Sequence, residues 1–163
     1  MTIGQLERVT QNRIIQLFVD ELGYRYLGDW TDRPNNSNIE ETYLSAYLAK
    51  QGYSTALINR ALDKIKVEAN NPNRSLYDNN KAVYSLLRYG VQVQAAAGEN
   101  NETVWLINWQ QPEQNDFAIA EEVTLHGNHE RRPDLVLYLN GIALVRNQLA
   151  NAIANRNATI FKL

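Results

Sequence analysis

Through the first half of the chain, hydrophobic residues recur at three- and four-residue spacing, the period of helices with one buried face. Leu6, Val9, Ile14, Leu17, Phe18 and Leu22 follow a Thr2-x-x-Gln5 capping box and predict an amphipathic helix over 4–22, ended by Gly23. The aromatic, Gly-bounded segment Tyr24–Trp30 reads as a strand or a packed loop, and Thr31–Asn38 is loop by composition. A second helix is predicted behind the capping box Ser37-x-x-Glu40, with Tyr43, Leu44, Tyr47 and Leu48 on one face and Gly52 past its end. Leu57, Ile58, Ala61, Leu62 and Ile65 mark a third, closed by Asn70-Asn71-Pro72. A fourth runs from about Tyr77 to Tyr89, with Ala82, Val83, Leu86 and Leu87 inward and Gly90 at its stop.

From Val91 the period shortens to two. Val91–Val93, Val104–Trp109 and Phe117–Leu125 read as strands separated by polar loops. Leu135–Leu139 is apolar on both faces, as a central strand is, and Asn140-Gly141 is a strong hairpin signal before the strand Ile142–Val145. A helix is expected over Arg146–Asn157, where Leu149, Ala152 and Ile153 stand among polar residues, although Asn disfavours it. No repeat or linker interrupts the chain, so residues 1–163 are expected to form a single α/β domain of the α+β kind, with a helical N-terminal half.

Composition narrows the function. With 163 residues, 44% of them hydrophobic, the chain can bury a substantial core. The absence of Cys excludes disulfides and thiolate metal sites. The lack of a long apolar run and of a basic-then-apolar leader argues against a membrane span or a secretory signal, which points to the cytoplasm. Sixteen basic and eighteen acidic residues give a net charge of -2, so any contact with nucleic acid must be local.

The richest chemistry lies in Arg131-Arg132-Pro133-Asp134, just before the apolar strand. A carboxylate at the head of a buried strand is costly unless something pairs with it, and a divalent cation is a good partner. That is the physical logic of a metal-dependent nuclease, although Pro-Asp is also an ordinary turn entering a strand.

Three segments in order carry a resemblance: Leu22–Trp30 (LGYRYLGDW), Tyr77–Val91 (YDNNKAVYSLLRYGV) and Arg132–Leu144 (RPDLVLYLNGIAL). Together they resemble the N-terminal domain of the R, or motor, subunit of type I restriction-modification enzymes, over nearly the whole chain up to Val145. The resemblance implies a restriction-endonuclease-like PD-(D/E)xK core, a mixed sheet flanked by helices. It also implies the endonuclease domain of a larger DNA-translocating ATPase that cuts double-stranded DNA with Mg2+. Asp134 matches the first metal-binding Asp of the motif. ATP would bind in a motor domain beyond Leu163, since no P-loop occurs in this chain, and the expected partners are double-stranded DNA and the methylation (M) and specificity (S) subunits.

The chain departs from the family pattern on the strand after the hairpin, where Glu-x-Lys is required. By counting, Gln148 stands at the acid position and Ala150 at the lysine position. Either the site is altered, or a short segment is absent between Val145 and Arg146. The abrupt change from apolar Val145 to Arg-Asn-Gln, and the likeness of Arg146–Asn151 to the helix that follows this strand in the family, favour the absent segment. Without Glu-x-Lys, the alternative function is a non-catalytic nuclease-like module that binds DNA or a subunit.

Further candidates are local. Nucleases of this fold often add an acid or amide from the first helix near the metal, and Glu7 or Gln11, four residues apart on one face, could serve, although such residues are usually solvated. Arg131 and Arg132 suit DNA phosphate, or else pair with Glu121, Glu122 or Glu130. Lys81 and Arg88, seven apart on the fourth helix, are further phosphate candidates. His126 and His129 do not have the spacing of a helical zinc pair. The Trp and Tyr residues are scattered in a way that suits packing better than a base-stacking platform.

Overall fold

The structure, a computed structural model, describes residues 3–124 and 132–147. The chain divides into two compact units, one built from residues up to Glu40 together with those from Asp116 onward, the other from Glu41–Asn115.

The first unit carries helix α1 (Ile3–Gln16) and a four-stranded mixed sheet in the order β1-β4-β5-β6. Strand β1 (Arg25–Asp29) runs parallel to β4 (Phe117–Glu121), while β4, β5 (Leu135–Leu139) and β6 (Ile142–Asn147) are antiparallel neighbours. The expected mixed sheet is therefore present, and β5 is an interior strand as its two apolar faces require. Asn140 and Gly141 take φ of +52° and +84°, the paired left-handed residues of a two-residue hairpin. Asn140 is fully buried and accepts from the Asp116 backbone N–H at 2.7 Å, so the turn is also tied to the start of β4.

Helix α1 and the turn that follows it pack Ile14, Ile15, Phe18 and Val19 against Ile119 and Leu135 of the sheet. Its expected end is altered: Leu17–Glu21 opens into a π-helical turn, in which the Leu22 N–H reaches the Leu17 carbonyl at 3.2 Å. The wider turn accompanies an edge-on contact of Phe18 with Tyr24 at 4.8 Å and a bond from the Tyr24 N–H to the Phe18 carbonyl. Val9, Leu17 and Leu22, expected on the apolar stripe, are exposed. The Thr2 capping box lies outside the described residues. Of the expected Ser37-x-x-Glu40 box one half forms: the Glu40 carboxylate accepts from the Ser37 N–H at 2.8 Å, but the Ser37 hydroxyl accepts from the Ile39 N–H, and the Glu40 N–H is taken by the Gly141 carbonyl at 2.8 Å.

The second unit holds α2 (Glu41–Lys50), α3 (Thr55–Ala69), α4 (Leu76–Tyr89) and a small hairpin-like sheet of β2 (Val91–Val93) and β3 (Glu102–Val104). Ser54 and Ser75 cap α3 and α4 by accepting the N–H groups of Leu57 and Asp78. The α3 stripe from Leu57 to Ile65 is buried as expected, whereas the inward residues of α4 are only half-buried.

Two strand expectations need correction: of Val104–Trp109 only Val104 lies in a strand, as the last residue of β3, and Phe117–Leu125 is too long. The segment after Val104 is irregular, because Asn115 holds it there: its amide donates to the Asn108 and Pro112 carbonyls, and its carbonyl oxygen accepts from the Asn108 N–H. Strand β4 stops at Glu121, where Glu122 adopts φ +52° and turns the chain. Conversely, Arg146 and Asn147 continue β6, with Asn147 opposite Leu135, so the helix expected from Arg146 does not begin there. The rest of that expected helix lies outside the described residues.

Candidate active site

Where β4 ends, β5 begins, so Glu121, Glu122 and Asp134 meet at one end of the sheet. The Glu122 and Val123 N–H groups donate to the carbonyls of Asp134 and Pro133 at 3.0 and 3.2 Å, which continues the β4–β5 pairing past its last ladder pair. Asp134 is half-buried, and Glu121 is buried to 4% exposure.

Helix α1 supplies the donors that this acidic corner needs. Gln11, itself 3% exposed, donates through Nε2 to Glu121 Oε2 at 2.9 Å, to Glu122 Oε1 at 3.3 Å and to the Asp134 carbonyl at 3.3 Å. Arg8 places Nη1 2.7 Å from the same Glu121 oxygen. From β1, the Tyr26 hydroxyl donates to Glu121 Oε1, and the Trp30 N–H donates to the Glu121 carbonyl at 2.8 Å. A buried carboxylate is tolerable here because charge and hydrogen bonds both meet it.

The electrostatics follow from this packing. The Tyr26 phenol is pushed up to about 12, first by burial and then by the Glu121 carboxylate that accepts its proton. Asp29, at the end of β1, is held below the usual carboxylate range chiefly by the hydroxyl and backbone N–H of Thr31, which donate to Oδ1 at 2.7 and 2.9 Å.

The expected residues separate clearly. Gln11 reaches the backbone carbonyl of Asp134, while Glu7 lies one turn earlier on the same helix, half-buried. Arg132 pairs with Glu122, Nε to Oε2 at 3.2 Å, which is the ion-pair alternative weighed for it. Lys81 and Arg88 are exposed on α4 of the other unit. Arg131, Glu130, His126, His129, Gln148 and Ala150 lie outside the described residues. Sequence reasoning missed Arg8 and Tyr26, and saw Glu121 only as a partner for the arginines. The available signal was Glu121-Glu122 closing an apolar strand, the same pattern that drew attention to Asp134.

A Mg2+ ion would favour the oxygen donors of this corner. Both carboxylate oxygens of Glu121 and of Glu122, however, already accept from side-chain donors, and no three acidic or His side chains among the described residues group as a metal shell. The described donors therefore do not by themselves fit a complete metal centre. No helix among the described residues is long and apolar enough to cross a membrane.

No curated protein matches the chain. The family model for the N terminus of the type I restriction enzyme R protein matches residues 4–146, which include all but the first residue of α1 and the whole acidic corner. The chain thus belongs to the family of type I restriction enzyme R protein N-terminal domains.

Proposed function

We propose that this chain is an endonuclease domain that cleaves double-stranded DNA in a Mg2+-dependent reaction. In the full protein, cleavage is coupled to translocation driven by ATP in a motor domain outside this chain, and M and S subunits choose the DNA. The observation that carries this reading is Asp134 at the head of interior strand β5, with Gln11 of α1 on its carbonyl, in a chain of this family. In this reading Asp134 would be one oxygen ligand of the ion, whose contribution when bound would be Lewis-acid chemistry on water and the phosphodiester. Gln11 fixes the turn that presents Asp134, and Arg131 and Arg132 hold DNA phosphate. The remaining ligand must come from outside the described residues, where Gln148 stands at the acid position. In the assembled enzyme, Asp134→Ala should abolish cleavage and leave ATP hydrolysis intact; undiminished cleavage would overturn the proposal.

A second reading, a non-catalytic nuclease-like module, is favoured by one observation. Arg8 and Arg132 already neutralise Glu121 and Glu122, as cations would in a site that no longer needs a metal. It predicts no metal-dependent cut by the intact enzyme and no effect of Asp134→Ala.

A further inference from the structure

Helix α4 is unusual for an amphipathic helix, because Asn79 is its one buried residue. Its exposed face alternates ring and cation: Tyr77, Lys81, Tyr84 and Arg88 follow at steps of four, three and four, which aligns them along one side. Tyr77 is 74% and Tyr84 63% exposed, and Lys81 makes no ion pair among the described residues. The stripe runs over twelve residues of helix, about 16 Å from first to last at the helical rise.

At its C-terminal end the stripe runs into a cleft of about 370 Å³ in the same unit, lined by Arg88, Trp105, Trp109, Gln51, Asn108 and Gln110 among others. The cleft is built rather than incidental. The Trp109 indole N–H donates to the Leu87 carbonyl at 3.0 Å, the Arg88 guanidinium stands 5.4 Å from the Trp109 ring centre, and the Tyr53 hydroxyl accepts from the Trp105 N–H at 3.0 Å. Trp105 and Trp109 nevertheless remain 44% and 47% exposed, and both line the cleft.

We infer that α4 and this cleft bind single-stranded DNA. Planar rings spaced between cations match a strand whose bases stack and whose phosphates need neutralising. The cleft, with both Trp residues in its lining, has room for one unstacked base, and the amide side chains of Gln51 and Gln110 line it as well. A duplex keeps its bases stacked and offers none to such a cleft. Lys81 and Arg88 stand on this line with no carboxylate between them, so charge complementarity favours the phosphates of a polyanion. This surface lies wholly within the helical unit, and the inference stands independently of cleavage at Asp134.

The test is binding of a fluorescent oligo(dT) to the full protein in EDTA, read by anisotropy and by quenching of tryptophan fluorescence. Binding with quenching is expected. Trp105→Leu and Tyr84→Ala should each weaken it roughly tenfold, and Lys81→Glu should flatten its salt dependence. Tyr84 and Lys81 are exposed, so their variants keep the test valid even if Trp105→Leu fails to fold. No binding, binding that these variants leave unchanged, or equal competition by a duplex of the same length would each overturn the inference; the last would mark a duplex surface. Protection of the stripe by another subunit in place of oligo(dT) binding would likewise overturn it and mark a protein interface. Because EDTA prevents metal-dependent cleavage, failure here leaves the nuclease proposal standing, and loss of that proposal leaves this one.

Discussion

Gln11 and Glu121, 110 residues apart in the chain, meet as a buried amide on a buried carboxylate at 2.9 Å. The same amide nitrogen reaches Glu122 and the backbone of Asp134, so a single side chain of α1 ties the end of β4 to the beginning of β5. Gln11→Leu would leave those acceptors without a shared donor. It should destabilise the protein by about 1.5–3 kcal/mol, the range for a hydrogen bond to a charged group. Urea denaturation measures this, and an unchanged midpoint would show that the tie is dispensable.

Tyr26 gives the corner an alkaline signature. Its folded pKa of about 12 lies above that of the unfolded phenol, near 10, so the folded protein binds this proton more tightly. The stabilisation is fully present below about pH 10 and is lost as pH rises through about 12. Stability measured across that window should fall, and Tyr26→Phe should remove this part of the fall. An identical slope in the variant would exclude Tyr26 as its source.

Arg132 separates two roles in one side chain. Its guanidinium is more than half exposed while it pairs with Glu122, so Arg132→Gln should change stability by less than about 1 kcal/mol. If Arg132 also holds phosphate, the same variant should weaken duplex binding by the assembled enzyme and lower its salt dependence. Unaltered binding would confine Arg132 to the ion pair.

Gly90 tests the junction of α4 with β2. Its φ is +78°, and an added Cβ would lie 2.5 Å from Thr103 Cγ2 and 3.3 Å from the Val104 carbonyl oxygen. Gly90→Ala should cost at least about 1–2 kcal/mol from the left-handed backbone alone. Thermal unfolding at an unchanged temperature would contradict that strain.

The sequence made legible whatever depends on neighbours in the chain. The α3 stripe, the Asn140-Gly141 turn and the doubly apolar β5 are set by local period and by turn chemistry, and the structure has each of them. The acidic corner was half legible. Asp134 and Gln11 could be named from strand position and helix face, but Arg8 and Tyr26 acquire their role only when α1 and β1 converge on Glu121. The strand expected from Val104 onward fails for a similar reason. Leu106 and Ile107 do become buried while Trp105 and Trp109 stay exposed, yet Asn115 side-chain bonds hold the backbone out of a ladder, and periodicity carries no trace of that. At the other end, apolar-to-polar change at Val145 signals a helix by composition, whereas pairing with Val136 and Leu135 keeps Arg146 and Asn147 on β6.

The most direct test of the nuclease proposal compares the assembled enzyme with its Asp134→Ala variant on a duplex substrate with ATP and Mg2+, scoring strand breaks and ATP hydrolysis in the same tube. The account predicts breaks in the parent, none in the variant, and equal ATP turnover in both. Breaks that persist in the variant, or their absence from both enzymes while ATP is hydrolysed, would contradict it.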